Sequence, residues 1–348
     1  MQKKWLMLAG AVFALFIISG CQSLGRQQEA SLIDTRFHQG TIGMQMQFVP
    51  GNPPTIIYDD PAFDLRQPEM QVLLEVRNRG AFDVGKSTED RPFGLGYIAL
   101  SGYDQSIIRY LQPATPSGIV SLAVEGKSRF NAEGGLQIIE FPPQDQIASI
   151  IELPEGVNTY RPRLQATVCY QYETVAAPVV CVDPDPYREV IDKPCRVGGI
   201  AGSGRELVAA VEGIAGGQGA PVTITNVQEE AQRNRVQFQI TVSNTGGGKV
   251  VDRDSISSLA CPFGLNYQQL DNIQYEVRMV NPLTGLEESL VCEPLQLKMY
   301  NNHAILFCRT GSNFDFSGQT AYQTPLYIRL SYGYMDAVSR NIEVRKTS

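Results

Sequence analysis

Val236-Gln-Phe238-Gln-Ile240-Thr-Val242-Ser-Asn244-Thr-Gly246 places an apolar side chain at every second position and then runs into an Asn-x-Gly turn. Period-two alternation sends successive side chains to opposite faces, so this stretch reads as a strand with one buried and one wet face. The pattern occurs twice. Val72, Leu74, Val76, Asn78, Gly80 and Val84 match Phe238, Ile240, Val242, Asn244, Gly246 and Val250 at a constant offset of 166. Toward the far ends, Leu164, Val168, Tyr170, Tyr172, Val180 and Val182 match Leu326, Leu330, Tyr332, Tyr334, Ile342 and Val344 at an offset of 162. Two blocks of matched strands with nearly equal offsets imply one fold used twice. Short alternating runs between Gly, Pro, Asn and Asp clusters fill both copies, which predicts an all-β chain of two tandem β-sandwiches. Helical periodicity is scarce, and only Arg205 to Ile214 qualifies as a short helix.

The N-terminus has different physics. Lys3 and Lys4 precede an apolar run from Trp5 to Ile18 of about 14 residues, short of the roughly 20 that span hydrocarbon. That layout is a signal peptide rather than a membrane span. Ile18-Ser19-Gly20-Cys21 resembles the lipobox of bacterial and archaeal lipoproteins, in which the thiol takes up lipid after cleavage. Two acyl chains bury enough methylene for stable anchoring, which one chain does not. The expected order is therefore a signal peptide over 1–20, lipidated Cys21 and a polar tether over 21–40, a first sandwich over 41–185, a Gly-rich linker over 186–219, and a second sandwich over 220–348. No later segment is apolar and long enough to span.

Cleavage removes Lys3 and Lys4, so Lys+Arg falls from 29 to 27 against 36 Asp+Glu, and the mature chain is near −9. An acidic exported chain does not attract nucleic acid, which rewards clustered Lys and Arg. It gains nothing from anionic headgroups either, which leaves the lipid on Cys21 as the membrane attachment.

Ala220-Pro-Val-Thr-Ile, the strand ending in Asn244-Thr-Gly246, and a closing Tyr-x-Tyr hairpin resemble CARDB-type immunoglobulin-like domains. With the lipobox, the chain resembles exported lipoproteins of archaea. The resemblance implies immunoglobulin-like sandwiches and a surface role in adhesion or assembly, and it carries over no catalytic residue. The strand-to-strand core cysteine pair of antibody domains is missing.

Six cysteines follow Cys21, an even number that in an exported chain reads as disulfides. Cys169 and Cys181 map onto Ser331 and Glu343 at the offset of 162, so neither recurs in the second copy. Each lies one residue off the buried parity of Val168, Tyr170, Val180 and Val182, which predicts a Cys169–Cys181 bridge on the outer face of one hairpin. Cys292 and Cys308 flank a turn at Asn301-Asn302 and form a second pair. Cys195 with Cys261 follows by elimination and would pin the linker to the second sandwich.

Several motifs lead nowhere. Gly80-Ala-Phe-Asp-Val-Gly85-Lys86-Ser87 satisfies the P-loop pattern, but Pro92, Gly94 and Gly96 oppose the helix that a phosphate cradle requires. Gly199-Ile-Ala-Gly202-Ser-Gly204 has no βαβ unit around it, so it reads as linker rather than dinucleotide loop. No Cys-x-x-Cys occurs, and His38 and His303 are the only histidines, so no zinc set or Ser-His mechanism is indicated. Asp183-Pro-Asp185 and Asp252-Arg-Asp254 could offer oxygens to a weak interdomain calcium ion, although turn-forming Asp is commoner. Tyr170, Tyr172, Tyr332 and Tyr334 share a parity with core valines and read as half-buried packing. The mature chain has no tryptophan, which counts against a stacking-type carbohydrate module without excluding one built on Tyr.

No cofactor or metal and no catalytic residue is expected. The reading is a non-enzymatic, lipid-anchored extracytoplasmic protein with an adhesive or protein-binding role for an unknown surface or envelope partner. Its candidate loops are Asp83 to Gly96 and Arg253 to Asn272. The alternatives are an accessory subunit of an envelope secretion or pilus complex and an exported hydrolase.

Overall fold

The computed structural model describes residues 37–59, 70–85, 94–112, 118–143, 148–187, 193–197, 208–211, 214, 216–316 and 318–347. The residues read as a signal peptide, Cys21, and the part of the expected tether before residue 37 lie outside the described residues. In the first copy the strands are β1 (Met44–Phe48), β2 (Ile56–Asp59), β3 (Val72–Asn78), β4 (Gly96–Ser101), β5 (Ile108–Arg109), β6 (Ile119–Ser121), β7 (Leu136–Phe141), β8 (Ile150–Ile151), β9 (Thr159–Tyr160), β10 (Arg163–Ala176) and β11 (Val179–Val182). Next come β12 (Val208–Ala210), β13 (Val222–Gln232), β14 (Arg235–Asn244), β15 (Lys249–Val251), a short helix α1 (Arg253–Ser257), and β16 (Asn272–Val280). The chain closes with β17 (Glu287–Ser289), β18 (Val291–Glu293), β19 (Leu297–Lys298), β20 (His303–Arg309), β21 (Tyr322–Asn341) and β22 (Glu343–Lys346). The protein is an all-β sandwich, as the alternation predicts.

The copies repeat their pairing as well as their sequence. Strand β3 lies between β1 and β7, and β14 lies between β13 and β20. In register, Val76 faces Met46 and Gln137, while Val242 faces Ile224 and Ala304. These two sheets cover one long sheet ordered β17-β16-β21-β10-β4-β6. Its centre is where the copies meet. Strand β10 pairs antiparallel with β21 along its full 14 residues, with Tyr170 opposite Tyr334 and Tyr172 opposite Tyr332. Gln171 pairs with Gly333, its own counterpart at the offset of 162, so an approximate two-fold axis crosses the sheet there. The strand ends obey the same symmetry: Val182 of β11 pairs with Tyr322, and Val344 of β22 pairs with Tyr160. Each copy lends its last strand to the other.

This arrangement corrects the expected Tyr-x-Tyr hairpin. Strand β10 runs on through Pro178, whose carbonyl accepts from Leu326 N at 2.8 Å, into β11 along the same edge of β21. The chain stays extended where a hairpin would reverse it. Two further expectations also change. The segment read as a helix contains β12, which joins β13 at a sheet edge. The stretch 186–219 is more than a linker, because Gly219 N donates to Gly40 O and Gly219 O accepts from Ala81 N, each at 2.8 Å.

The four tyrosines are buried in one continuous core. Their hydroxyls explain the Asn-x-Gly turns. Tyr172 Oη donates to Asn78 Oδ1 at 3.0 Å and accepts from Phe82 N at 3.2 Å. Tyr334 Oη donates to Asn244 Oδ1 at 2.8 Å and accepts from Gly248 N at 3.0 Å. Tyr170 and Tyr332 Oη accept from Met44 N at 3.1 Å and Val222 N at 3.3 Å. A buried hydroxyl left unpaired would cost about 1–3 kcal/mol, so each turn supplies what its tyrosine needs. A β-carbon on Gly80 would collide with the Tyr172 hydroxyl and the Gly219 carbonyl, and one on Gly246 with the Tyr334 hydroxyl. Gly80→Ala and Gly246→Ala should each lose about 2–3 kcal/mol in urea unfolding. Gly247→Ala, whose β-carbon meets open space, should stay within about 0.5 kcal/mol.

Candidate binding surface

Residues 252–272 fold over the outer face of the central sheet. Asp252 caps α1 by accepting from Asp254 N at 2.9 Å, which leaves that carboxylate engaged in a cap. The helix stops at Ser258, and Leu259 follows in the left-handed region at φ 57°. For a bulky side chain this backbone is strained and must be held by its surroundings. The holding comes from beneath, where Ile256, Cys261, Tyr97, Cys169 and Val251 form a buried cluster with Leu265 and Leu270 against it. The Tyr97 hydroxyl donates to Cys261 O at 3.0 Å, and burial pushes its pKa up to about 12. Asn266 then caps a 3-10 turn over Tyr267–Gln269, with the Gln269 side chain returning to Asn266 N at 3.0 Å.

Cys261 is bonded to Cys169, with Cα atoms 6.2 Å apart. Cys181 is bonded to Cys195, and Cys292 to Cys308. The Cys292–Cys308 pair is the expected one, but Cys169–Cys181 and Cys195–Cys261 are not formed. Because β10 continues into β11 without reversing, Cys169 and Cys181 lie 12 residues apart along an extended path, up to roughly 40 Å. The outer face of β10 is also not wet, since Thr167, Cys169 and Gln171 are buried. Gln171 Nε2 donates to Arg253 O at 3.1 Å and Ser257 Oγ at 2.9 Å, and Arg253 Nη1 lies 3.1 Å from Glu173 Oε1. The second copy's loop therefore clamps the first copy's strand, and a disulfide seals the clamp.

What the loop buries below it balances with exposure above. Leu259, Phe263 and Tyr267 are 48, 70 and 74% exposed, and Lys298 Nζ sits 4.5 Å from the Tyr267 ring centroid. Exposed rings on a covalently anchored loop are suited to filling a partner's pockets without ordering a flexible segment. The matching first-copy loop, Asp83 to Gly96, lies largely outside the described residues, as do Lys86 and Ser87 of the P-loop pattern. Its described part bridges Val84 to Val124 and to Gly94. The Gly199 to Gly204 stretch also lies outside.

The remaining sequence candidates have structural occupations. Asp183 pairs with buried Lys193 at 2.6 Å, and Lys193 also donates to Asp185 O at 2.6 Å. Among the described residues no three His, Cys, Asp or Glu gather to hold a metal. Ser243 Oγ lies 2.9 Å from His303 Nδ1, but Ser243 is buried and shared with Thr225 at 3.1 Å. The sequence reading missed this contact, because the two residues come from paired strands 60 positions apart. It also missed α1, for which Asp252 ahead of Arg253-Asp254-Ser255 was the available signal. No family model, curated protein or solved structure matches this chain.

Proposed function

We propose that this chain is a non-enzymatic, lipid-anchored protein of the cell envelope that binds another protein through the loop 258–270. The carrying observation is the exposed Leu259, Phe263 and Tyr267 on a loop anchored by Cys169–Cys261. Three disulfides accord with an oxidising, extracytoplasmic compartment, and the lipobox at Cys21 supplies the attachment. An apolar loop tip favours a fixed partner, as in an accessory subunit of an envelope complex, over transient adhesion through charged tips.

Photo-crosslinking tests this reading in intact cells. A photoreactive phenylalanine analogue at Phe263 should give one discrete protein adduct that sediments with membranes, and Cys21→Ser should remove it from the membrane fraction. The same analogue at exposed Ile138 should give none. Lipid adducts alone at Phe263, or identical adducts at both positions, would contradict the proposal.

A further inference from the structure

The outer face of the second copy's covering sheet carries a groove. An open depression of about 170 Å³ spans β13, β14, β20 and β18. Strand register places its side chains in two rows. Gln228 faces Gln239, which faces Phe307, which faces Glu293. Two residues along, Glu230 faces Gln237, which faces Arg309, which faces Val291. Three strand spacings make the strip roughly 14 Å long, and the rows are about 7 Å apart. Glu229, Phe238 and Cys308 also border the depression. Their alternation parity points those side chains to the opposite face.

Three properties define what this strip would hold. First, its polar groups are amides, carboxylates and a guanidinium, planar groups able to make paired hydrogen bonds. Gln228, Gln239, Glu293 and Arg309 show no side-chain hydrogen bond among the described residues, whereas Gln237 donates to Glu230. Second, two carboxylates against one guanidinium give no positive field for phosphate or sulfate. Third, the apolar surface is limited to Phe307, 56% exposed, and Val291 beside it. That is enough for one ring face, and Ile305, 45% exposed two residues from Phe307 on the same strand face, extends the apolar row beyond the depression.

The internal repeat adds an independent observation. At the scaffold positions both copies keep Tyr, Asn, Gly and Val. At the groove, Gln239 corresponds to Leu73 and Phe307 to Glu140, and in the first copy Gln71 donates to Glu140. Among the described residues the first copy's covering sheet has three strands, while the second has β12 and β18 in addition. Cys292 lies directly opposite Cys308 and is bonded to it, which fixes Val291 and Glu293 beside Arg309 and Phe307. An added strand thus completes the groove, and a covalent bond holds it there.

We infer that this groove binds a neutral oligosaccharide, with Phe307 under the apolar face of one pyranose ring and Gln228, Gln239, Glu293 and Arg309 taking its hydroxyls. Stacking here uses phenylalanine, so the missing tryptophan is no obstacle. The site is distinct from the loop at Phe263, and the inference does not rest on the function proposed for that loop. Calorimetric titration of the full chain with cellohexaose, mannohexaose and N-acetylchitohexaose tests it. At least one sugar should bind saturably, and Phe307→Ala and Gln239→Ala should each weaken it by about tenfold or more. Phe263→Asp should leave that binding unchanged. All three substitutions fall on exposed or half-exposed side chains, and an unaltered melting transition verifies their folding, with Arg309→Ala as a further groove variant. No binding of any of the three sugars at millimolar concentration would overturn the inference. So would sugar binding that ignores the groove variants, or a groove that protects against amide exchange only with a protein bound.

Discussion

Expressed without the first copy, residues 216–348 should show no cooperative thermal transition. Strand β21 hydrogen-bonds β10 over 14 residues and β11 beyond it. Removing both leaves a long unpaired edge, which invites aggregation. The core loses Tyr170 and Tyr172, and the Tyr332 hydroxyl loses Thr174 Oγ1 at 3.0 Å. The loop 252–272 meanwhile loses the strand it clamps. Individual buried aromatic losses cost about 3–5 kcal/mol, and whole domains are stable by only about 5–15 kcal/mol. The sum exceeds what half the chain can hold. Calorimetry on the fragment checks this, and co-expression with residues 37–187 should restore the transition and the Cys169–Cys261 bond. A fragment melting cooperatively within a few degrees of the full chain would show that the copies are independent beads.

The second large effect concerns Glu229. Its carboxyl is buried, with Oε2 accepting from Cys181 N at 3.2 Å and Oε1 unpartnered among the described residues. Lys193, a buried cation of the same region, is committed to Asp183. Burial pushes the Glu229 pKa up to about 8 from 4.5, with the Cys181 hydrogen bond opposing in part. Between those values the folded chain keeps a proton that the unfolded chain has released. Stability is therefore fully present below about pH 4.5 and falls as pH rises toward 8. The loss is on the order of 4 kcal/mol. Glu229→Gln removes the titration while keeping an acceptor for Cys181 N. Denaturant titrations should find the variant little changed at pH 4.5 and several kcal/mol more stable at pH 8. Equal slopes of stability against pH in both proteins would contradict this.

How much of this was legible in the sequence depends on range. Alternation in 236–242, the Asn-x-Gly turns and the offsets of 166 and 162 gave the strands, the all-β class and the repeat, because those signals are local or self-comparing. The Cys292–Cys308 pair was legible because its strands are adjacent. What joins the copies was not. A strand leaving Tyr170-x-Tyr172 can turn back or run on, and only partners 150 or more residues away decide. The parity of Cys169 reads as an outer face because the loop that buries it belongs to the other copy. The same blindness hid the groove, whose residues are ordinary strand-surface polar groups until register aligns them across four strands. The loop at Arg253 to Asn272 is legible as a sheet-end loop, whereas the role of its apolar tip depends on the anchoring of Cys261 to Cys169, 92 residues away.

That the two copies form one body, pinned through the middle of a shared sheet, is tested most directly by mapping disulfides in the unreduced protein. Proteolysis and mass spectrometry should recover Cys169 joined to Cys261, with Cys181 joined to Cys195. Recovery of Cys169 joined to Cys181 would mean that β10 folds back on its own copy, and the shared sheet would be wrong.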